Sequence, residues 1–260
     1  MKTGTYKNSF FKLPILDGLE LLDARGYNQS FPFHTHPTFN ISLILEQTFT
    51  NKLADRTCHA PVGAIVITNP GEVHATICDA KTGSTFFTFY ISPGVLYDLN
   101  KKQPVFFDNK VIIDRDLFNK LLAITPHVND AVAATEQQLV NTLKELIVKY
   151  AANGVTGKTS SNFFTQRMEE DIFEKFSLEK TAGKFKLDKY KFIRFFKQEI
   201  GLTPNNYVII RRIEKCKELL QTQDDLLDIA IQTGFYDATH LCKYFKKITG
   251  ITPLAYHNAG

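Results

Sequence analysis

The chain has 260 residues, and its 43% hydrophobic and 22% charged content, with only 14 glycines and 10 prolines, excludes collagen-like, low-complexity and disordered proteins. A chain of this length can bury a large core and is expected to form two domains of ordinary size. The net charge of +4 is uneven, because residues 1–179 hold 17 Lys and Arg against 19 Asp and Glu, whereas residues 180–260 hold 14 against 8.

The N-terminal part of the chain is predicted to be rich in β-strands. Short apolar or alternating runs at residues 41–45, 63–68 and 85–91 are separated by Pro, Gly, Asp and Asn residues that favour turns. Several short strands at this spacing are typical of a barrel or a sandwich. We therefore predict a β-barrel over residues 1–110.

Helices are predicted to follow the barrel, over residues 114–152. The clearest hydrophobic stripe has the period of a helix that begins near Asp130, and it consists of Leu139, Leu143, Leu146, Ile147 and Tyr150. This stripe either packs onto the barrel of its own chain or forms a dimer interface. Because residues 153–162 are flexible in composition and have no period, we place a linker at 156–162, between domains of residues 1–155 and 163–260.

The C-terminal part of the chain contains an internal repeat. Residues 195–207 (FFKQEIGLTPNNY) and 244–256 (YFKKITGITPLAY) are 49 residues apart and identical at six of thirteen positions. Two copies are too few for a solenoid, so a duplicated small helical unit is the simpler explanation. The sequence therefore predicts two similar helical units in the C-terminal domain.

The second helical unit has the pattern of a helix-turn-helix. A short helix over 226–233 is followed by Gly234, which is suited to a left-handed turn, and by Asp237, which can cap the next helix. The inward face of that next helix is predicted to hold Leu241, Phe245 and Ile248. Its outward face is polar and basic, as expected of a helix that fits the major groove of DNA.

The first helical unit follows the same plan with one difference. Ser177 and Asp188 are the predicted N-caps of its two helices. Lys186 occupies the position of Gly234, so either the lysine adopts a left-handed conformation at a cost of about 1 kcal/mol or the turn differs in shape. Between the units, Thr203-Pro204 begins a connecting helix of about 17 residues, or ~26 Å, which could hold two recognition helices roughly one DNA turn apart.

A family resemblance is carried by residues 228–256, DIAIQTGFYDATHLCKYFKKITGITPLAY. Their Ile-Ala, Gly-Phe, His, Phe-Lys, Gly and Thr-Pro positions are in register with the DNA-binding domain of the AraC-type (arabinose-regulator) family of bacterial transcription factors, which the C-terminal domain resembles. The N-terminal domain resembles the family's cupin-type sensor, through His34-Thr35-His36 and the segment Asn69-Pro70-Gly71-Glu72-Val73-His74. The implied fold class is α+β with two domains, a cupin-like β-barrel with following helices and an all-α double helix-turn-helix.

The basic outward faces and the resemblance together predict which residues contact DNA. Arg194 and Lys243 occupy equivalent positions in the two units and are predicted to contact base edges, since Arg and Lys donate well to guanine. The residues predicted to flank them are Tyr190, Lys191, Ala238, Thr239 and His240. The residues predicted to bind phosphates, which adds affinity without sequence preference, are Lys189, Lys197, Lys246 and Lys247.

The resemblance also implies an effector site in the barrel. His34, His36 and His74 are predicted to supply hydrogen-bond donors to a small molecule. Phe39 and Phe87 are predicted to line the rest of an otherwise apolar cavity. A small molecule bound there would change how the sensor domains pair or contact the DNA-binding domains.

A metal site is the alternative role of the three histidines. In cupin enzymes an H-x-H pair, a Glu a few residues on and a later His bind a metal, and three imidazoles could share Zn²⁺ or Fe²⁺. Residues 38–42 contain no carboxylate, and Glu46 lies further along than this pattern requires. We therefore expect neither a metal nor another cofactor.

We predict a sequence-specific transcriptional regulator that is not an enzyme, and the resemblance implies an activator more often than a repressor. Its expected partners are double-stranded DNA, a small-molecule effector, a second copy of the chain and, by resemblance, RNA polymerase. No apolar run approaches the ~20 residues of a membrane span and residues 1–25 lack the apolar region of a signal peptide, so a cytoplasmic location is expected. Two alternatives stay open: a cupin metalloenzyme, isomerase or dioxygenase, with a helical appendage, and a helical half that binds proteins instead of DNA.

Overall fold

The structure, a computed structural model, describes residues 7–78, 81–125, 132–152, 162–169, 172–174 and 176–259. It divides into two units. The first unit holds the strands and helices up to residue 152 except the strand at 31–34, and the second holds that strand and the helices from residue 162 onward. Residues 153–161, which include most of the predicted linker, lie outside the described part of the chain.

The β-strands form two sheets. The strands are β1 Lys7–Leu13, β2 Leu19–Tyr27, β3 Phe31–His34, β4 Phe39–Glu46, β5 Phe49–Leu53, β6 Thr57–Ala60, β7 Ile65–Thr68, β8 His74–Ile77, β9 Ser84–Ile91 and β10 Val111–Ile112. One sheet has the order β1-β2-β9-β4-β7-β10 and the other the order β3-β8-β5-β6. The three strands predicted from the sequence correspond to β4, β7 and β9, so the prediction of a β-rich first domain is confirmed.

The two faces of the six-stranded sheet differ in polarity. Side chains alternate between the faces along each strand. On one face Phe39, Ile41 and Leu43 of β4 lie opposite Ile91, Phe89 and Phe87 of β9. On the other face Asn40 and Ser42 lie opposite Tyr90 and Thr88. Strand β4 is buried on both faces, and the alternation of apolar and polar residues over 39–43 follows this difference in polarity.

Three helices cover the apolar face of this sheet. They are α1 Pro93–Leu99, α2 Arg115–Ile124 and α3 Val132–Tyr150. The stripe of α3, Leu139, Leu143, Leu146 and Ile147, is buried in one cluster with Ile41 and Phe89 of the sheet. The predicted helix is confirmed, and its stripe packs onto the β-strands of its own chain. The stripe is therefore not available to a second copy of the chain, and a dimer interface on the rest of α3 stays a prediction.

Seven helices of the second unit are described. They are α4 Asn162–Glu169, α5 Leu178–Lys184, α6 Lys189–Ile200, α7 Pro204–Leu219, α8 Leu226–Gln232, α9 Ala238–Thr249 and α10 Pro253–His257. Helices α5 and α6 form one helix-turn-helix, and α8 and α9 form the second. Helix α7 connects them and, at 16 residues, is about 24 Å long. Within the described ranges, no helix is long and apolar enough to span a lipid bilayer.

The caps and turns of the two helix-turn-helix units agree with the sequence pattern. Ser177 caps α5, and the side chains of Asp188 and Asp237 accept hydrogen bonds of 3.0 Å and 2.7 Å from backbone N–H groups in the first turns of α6 and α9. Gly234 has a φ of +77° and Lys186 a φ of +55°. Gly234 is left-handed as predicted, and Lys186 adopts the strained left-handed conformation, which was one of the two alternatives for it.

Each recognition helix is held by a buried inward face. Phe192 and Phe196 of α6 pack with Val208 of α7 in one apolar cluster. In α9 the fully or nearly buried residues are Leu241, Phe245 and Ile248, as predicted. Truncating one buried Phe to Ala typically costs about 3–5 kcal/mol of stability, so these inward faces fix which side of each helix points away from the core.

Candidate functional site

The outward faces of α6 and α9 carry the predicted base contacts. Arg194 lies midway between Phe192 and Phe196, and Lys243 lies midway between Leu241 and Phe245, so each is about 200° around its helix from the buried residues. Both side chains are exposed. The structure thus places the two cations at equivalent outward positions.

The predicted phosphate contacts lie at both ends of these helices. Lys189 Nζ is 3.0 Å from a carboxylate oxygen of Glu179, and this hydrogen bond raises the pKa of Lys189. Lys197 and Lys247 are exposed near the C-terminal ends of α6 and α9, and Lys246 is half-buried. An exposed ion pair contributes little to stability, so Lys189 can exchange Glu179 for a phosphate at little cost.

The predicted flanking residues differ in how accessible they are. Tyr190 is 73% exposed. His240, in contrast, packs edge-on against two aromatic rings, with centroid distances of 5.5 Å to Phe235 and 4.9 Å to Tyr244. Its Nδ1 is buried without a hydrogen-bond partner among the described atoms. The imidazole therefore serves partly to pack the start of α9.

The turn of the second helix-turn-helix is one residue longer than that of the first. The amides of Leu187 and Phe235 each donate to the carbonyl five residues back, which marks the two as equivalent. Asp188 follows Leu187 directly, whereas Tyr236 stands between Phe235 and Asp237. Tyr236 is 89% exposed and adjoins the N-terminal end of α9. Tyr236 is not among the DNA contacts predicted from the sequence, although the sequence shows the added residue between Phe235 and Asp237.

The predicted effector histidines are buried. The rings of His36 and His74 have centroids 5.4 Å apart, and His36 is 5.5 Å from the ring of Tyr90. His74 Nδ1 is 3.0 Å from the carbonyl oxygen of Glu72, and burial lowers the pKa of His74 although Glu72 opposes this effect. A neutral His74 that donates Nδ1–H to this carbonyl offers Nε2 as an acceptor or a metal ligand.

Three imidazoles lie close enough together to be considered as ligands of one metal ion. The side-chain nitrogens within 4.8 Å of one another are those of His34, His36 and His74. Two carboxylates that could complete the pattern are engaged elsewhere: Glu46, at the other end of β4, accepts from Thr85 Oγ1 at 2.8 Å, and Glu72 lies 2.9 Å from Lys110 Nζ. In the described residues the set therefore lacks the carboxylate that completes the cupin-enzyme pattern.

A layer of buried polar side chains lies between the two sheets. We call it the polar layer, and its members are Asn40, Ser42, Asn51, Thr68, Thr76 and Thr88. Asn51 Nδ2 of one sheet donates to Thr68 Oγ1 of the other at 3.4 Å, and the hydroxyls of Ser42 and Thr88 are 2.8 Å apart. Asn51 is 2% exposed, and its Oδ1 has no hydrogen-bond partner among the atoms described. A buried acceptor of this kind calls for a donor.

Phe39 and Phe87 lie away from the polar layer. By the register of β4 with β9, both side chains are on the apolar face of the six-stranded sheet, in the cluster that also contains the stripe of α3. The expectation that they line a cavity with the histidines is therefore corrected. The alternation over residues 39–43 separates the two faces of β4, but both faces are buried, so the sequence does not show which of them meets the histidines.

Comparison with known proteins decides the family. Residues 18–149 match the family model of the AraC-like ligand binding domain, which alone spans more than half of the chain, and residues 181–259 match a helix-turn-helix domain. The chain belongs to the AraC family of transcriptional regulators. Members of this family combine a ligand-binding domain with a DNA-binding domain, so the predicted recognition and general function are confirmed.

Individual relatives of this AraC-family chain agree with that assignment. It is 25% identical over 237 residues to the HTH-type transcriptional regulator YbfI of Bacillus subtilis (strain 168), covering 86% of each chain. It is 32% identical over 124 residues to the HTH-type transcriptional activator RhaS of Citrobacter koseri, a match that covers 47% of this chain and 44% of RhaS. Unsaturated fatty acid-bound ToxT from Vibrio cholerae has a TM-score of 0.55 at 11% identity, covering 98% of this chain and 95% of ToxT, and shows the shared two-domain fold.

Proposed function

We propose that α6 and α9 are the recognition helices of this AraC-family regulator, with Arg194 and Lys243 at base edges in the major groove. The observation that carries the proposal is their equivalence: each is an exposed cation midway between two buried residues of a capped helix. Arg and Lys donate to guanine O6 and N7, and a good pair of such bonds discriminates between bases by about 1–3 kcal/mol.

Affinity that is independent of sequence would come from the cations at the ends of the same helices. We assign phosphate contacts to Lys189, Lys197, Lys246 and Lys247, as the sequence predicted. Tyr236 joins this group, because its exposed ring and hydroxyl adjoin the end of α9 that approaches DNA first. Lys191, Ala238 and Thr239 would flank the base contacts. Phosphate contacts set position and affinity without carrying sequence information.

The effector would bind at the polar layer, next to His36 and His74. Asn51 supports this assignment, because its buried Oδ1 would gain a donor from a hydroxyl or an amide of the small molecule. The layer contains amide and hydroxyl side chains and, among the residues described, no Lys or Arg. The buried Lys110 is already paired with Glu72 at 2.9 Å, so an effector carboxylate would be buried without a free cation among the residues described, which is costly. We propose a small, neutral, hydrogen-bonding effector, in contrast to the unsaturated fatty acid bound to ToxT.

The remaining functional assignments follow from the family. We propose that the protein acts in the cytoplasm as a homodimeric activator that contacts RNA polymerase, and the similarity to the activator RhaS supports activation. A dimer would use a surface other than the buried stripe of α3. We propose that the chain is not an enzyme, because the carboxylates that a cupin metalloenzyme would need are bonded to Thr85 and Lys110.

Selection from random DNA duplexes tests the proposed function. The purified chain should enrich a two-part motif, with sub-sites about one helical turn apart, because α6 and α9 belong to one unit joined by α7. Binding should weaken steeply with salt. Enrichment of no motif, or no salt-dependent DNA binding, would contradict it and favour a helical half that binds proteins.

A further inference from the structure

Arg212 of α7 is a buried cation bonded to backbone carbonyls. It is 6% exposed, and its Nε donates to the carbonyl of Ile172 at 2.7 Å. The two terminal nitrogens of the guanidinium donate to the carbonyls of Glu174 and Gly234. Its guanidinium carbon also lies 5.9 Å from the ring centre of Phe235. One side chain therefore ties the segment 172–174 to the turn that precedes α9.

The turn at Gly234 is packed directly against the same groups. A Cβ at this position would lie 2.7 Å from the carbonyl oxygen of Phe173 and 2.8 Å from the guanidinium carbon of Arg212. Gly234 also has a φ of +77°. The equivalent residue of the first unit is Lys186, which carries a Cβ. The close approach at Gly234 thus belongs to the second helix-turn-helix.

The geometry of guanidinium suits this role better than that of an ammonium group. A planar fork with five N–H donors can bond to three separate carbonyls, whereas Lys presents its donors at one point. The neighbouring Arg211 differs in environment. It pairs with the carboxylate of Glu169 at 2.8 Å, and its side chain is 42% exposed. A lysine could replace Arg211 with little loss.

We propose that Arg212 is the positioning residue of the second recognition helix. It sets the turn at Gly234, and hence the start of α9, against the segment 172–174. In this way α9 is held at a fixed angle to the rest of the unit before DNA is bound, and base selection by α9 depends on a residue that does not touch DNA. This inference rests on the proposed role of α9 in base recognition.

Three duplexes test the proposal: the selected site, the same site with the sub-site of α6 scrambled, and the site with the sub-site of α9 scrambled. The parent should lose affinity about tenfold or more with either scrambled duplex. Arg212→Lys should lose its preference for the α9 sub-site and keep that for the α6 sub-site. Arg211→Lys is the matched control and should behave like the parent. Circular dichroism and thermal unfolding check that each variant is folded.

The outcomes distinguish the role of α9 in base recognition from the positioning role of Arg212. If the parent binds the duplex with the scrambled α9 sub-site as tightly as the selected site, the proposed function is overturned. If R212K loses as much affinity as the parent on that duplex, only the positioning role is overturned. Equal loss at both sub-sites in a folded variant also contradicts it, since a general structural role would affect both helices. If R212K does not fold, Gly234→Ala takes its place, because it keeps the guanidinium but puts a methyl group against Phe173.

Discussion

Replacing Asn51 with leucine should make the unbound protein more stable while abolishing its response to effector. Asn51 is 2% exposed and its Oδ1 has no hydrogen-bond partner among the described atoms, so the apo protein buries an acceptor at a cost of about 1–3 kcal/mol. Its single described hydrogen bond, to Thr68, is long at 3.4 Å and contributes about 0.5–1.5 kcal/mol at most. Asn51→Leu should therefore raise the free energy of unfolding by about 1 kcal/mol.

Asn69 provides a matched control for the same chemical change. It is 3% exposed, but its amide is fully used: Nδ2 donates to the carbonyl of Phe107 and Oδ1 accepts from the amide of Phe107, both at 2.9 Å. Asn69→Leu leaves the buried amide of Phe107 without a partner, whereas the carbonyl of Phe107 keeps its 2.7 Å hydrogen bond from Lys110 Nζ, so the protein should be destabilised by about 1–3 kcal/mol. The two Asn→Leu changes should thus have opposite signs.

Thermal unfolding of both variants, with urea titration to obtain free energies, provides the measurement. A change of 1 kcal/mol should shift the unfolding midpoint of a chain of this size by about 2–4 °C. A second measurement tests the effector: the DNA affinity of the parent and of Asn51→Leu is compared with and without candidate neutral compounds, and with and without an unsaturated fatty acid. Destabilisation by Asn51→Leu would refute the assignment of a free acceptor, and a response to the fatty acid alone would refute the neutral effector class.

Three further predictions concern DNA and pH. Lys246→Ala should weaken binding to all sequences about equally and lower the slope of log K against log salt by about 1, measured by fluorescence anisotropy; a change of sequence preference would contradict its phosphate role. Tyr236→Phe should bind more weakly than the parent, and Tyr236→Ala more weakly still, whereas parent-like affinity of both excludes this contact. Because burial lowers the pKa of His74 below its ordinary 6.5, the unfolded state takes up a proton that the folded state does not. Stability should therefore fall below pH 6.5 by up to about 1.4 kcal/mol per pH unit, and His74→Gln should reduce that slope in urea titrations at pH 5.5 and 7.5; an unchanged slope would contradict it.

The helical unit was the more predictable part of the chain. Its caps, its left-handed turns and the inward faces of its helices depend on local spacing, which the sequence displays directly. The equivalence of Arg194 and Lys243 followed from the repeat. Tyr236 was not predicted, because it has no counterpart in the first unit and the prediction was based on positions that the two units share.

The effector site was less predictable because it depends on contacts between distant strands. Asn51 became a candidate only when the structure placed it against Thr68 of the other sheet. Phe39 and Phe87 were assigned to the wrong face, because both faces of these strands are buried and alternation alone does not show which face meets the histidines. Arg212 gave no sequence signal of its role, since the carbonyls that it binds belong to segments about 20 and 40 residues away.

Sequence preference of the base-contact variants tests the central claim most directly. Selection from random duplexes should be run in parallel on the parent, Arg194→Ala and Lys243→Ala. Each variant should lose about 1–3 kcal/mol on the selected site and relax preference at one or two base pairs, Arg194→Ala within one sub-site and Lys243→Ala within the other. Variants that retain the preference of the parent at every position would contradict the assignment of α6 and α9 as recognition helices.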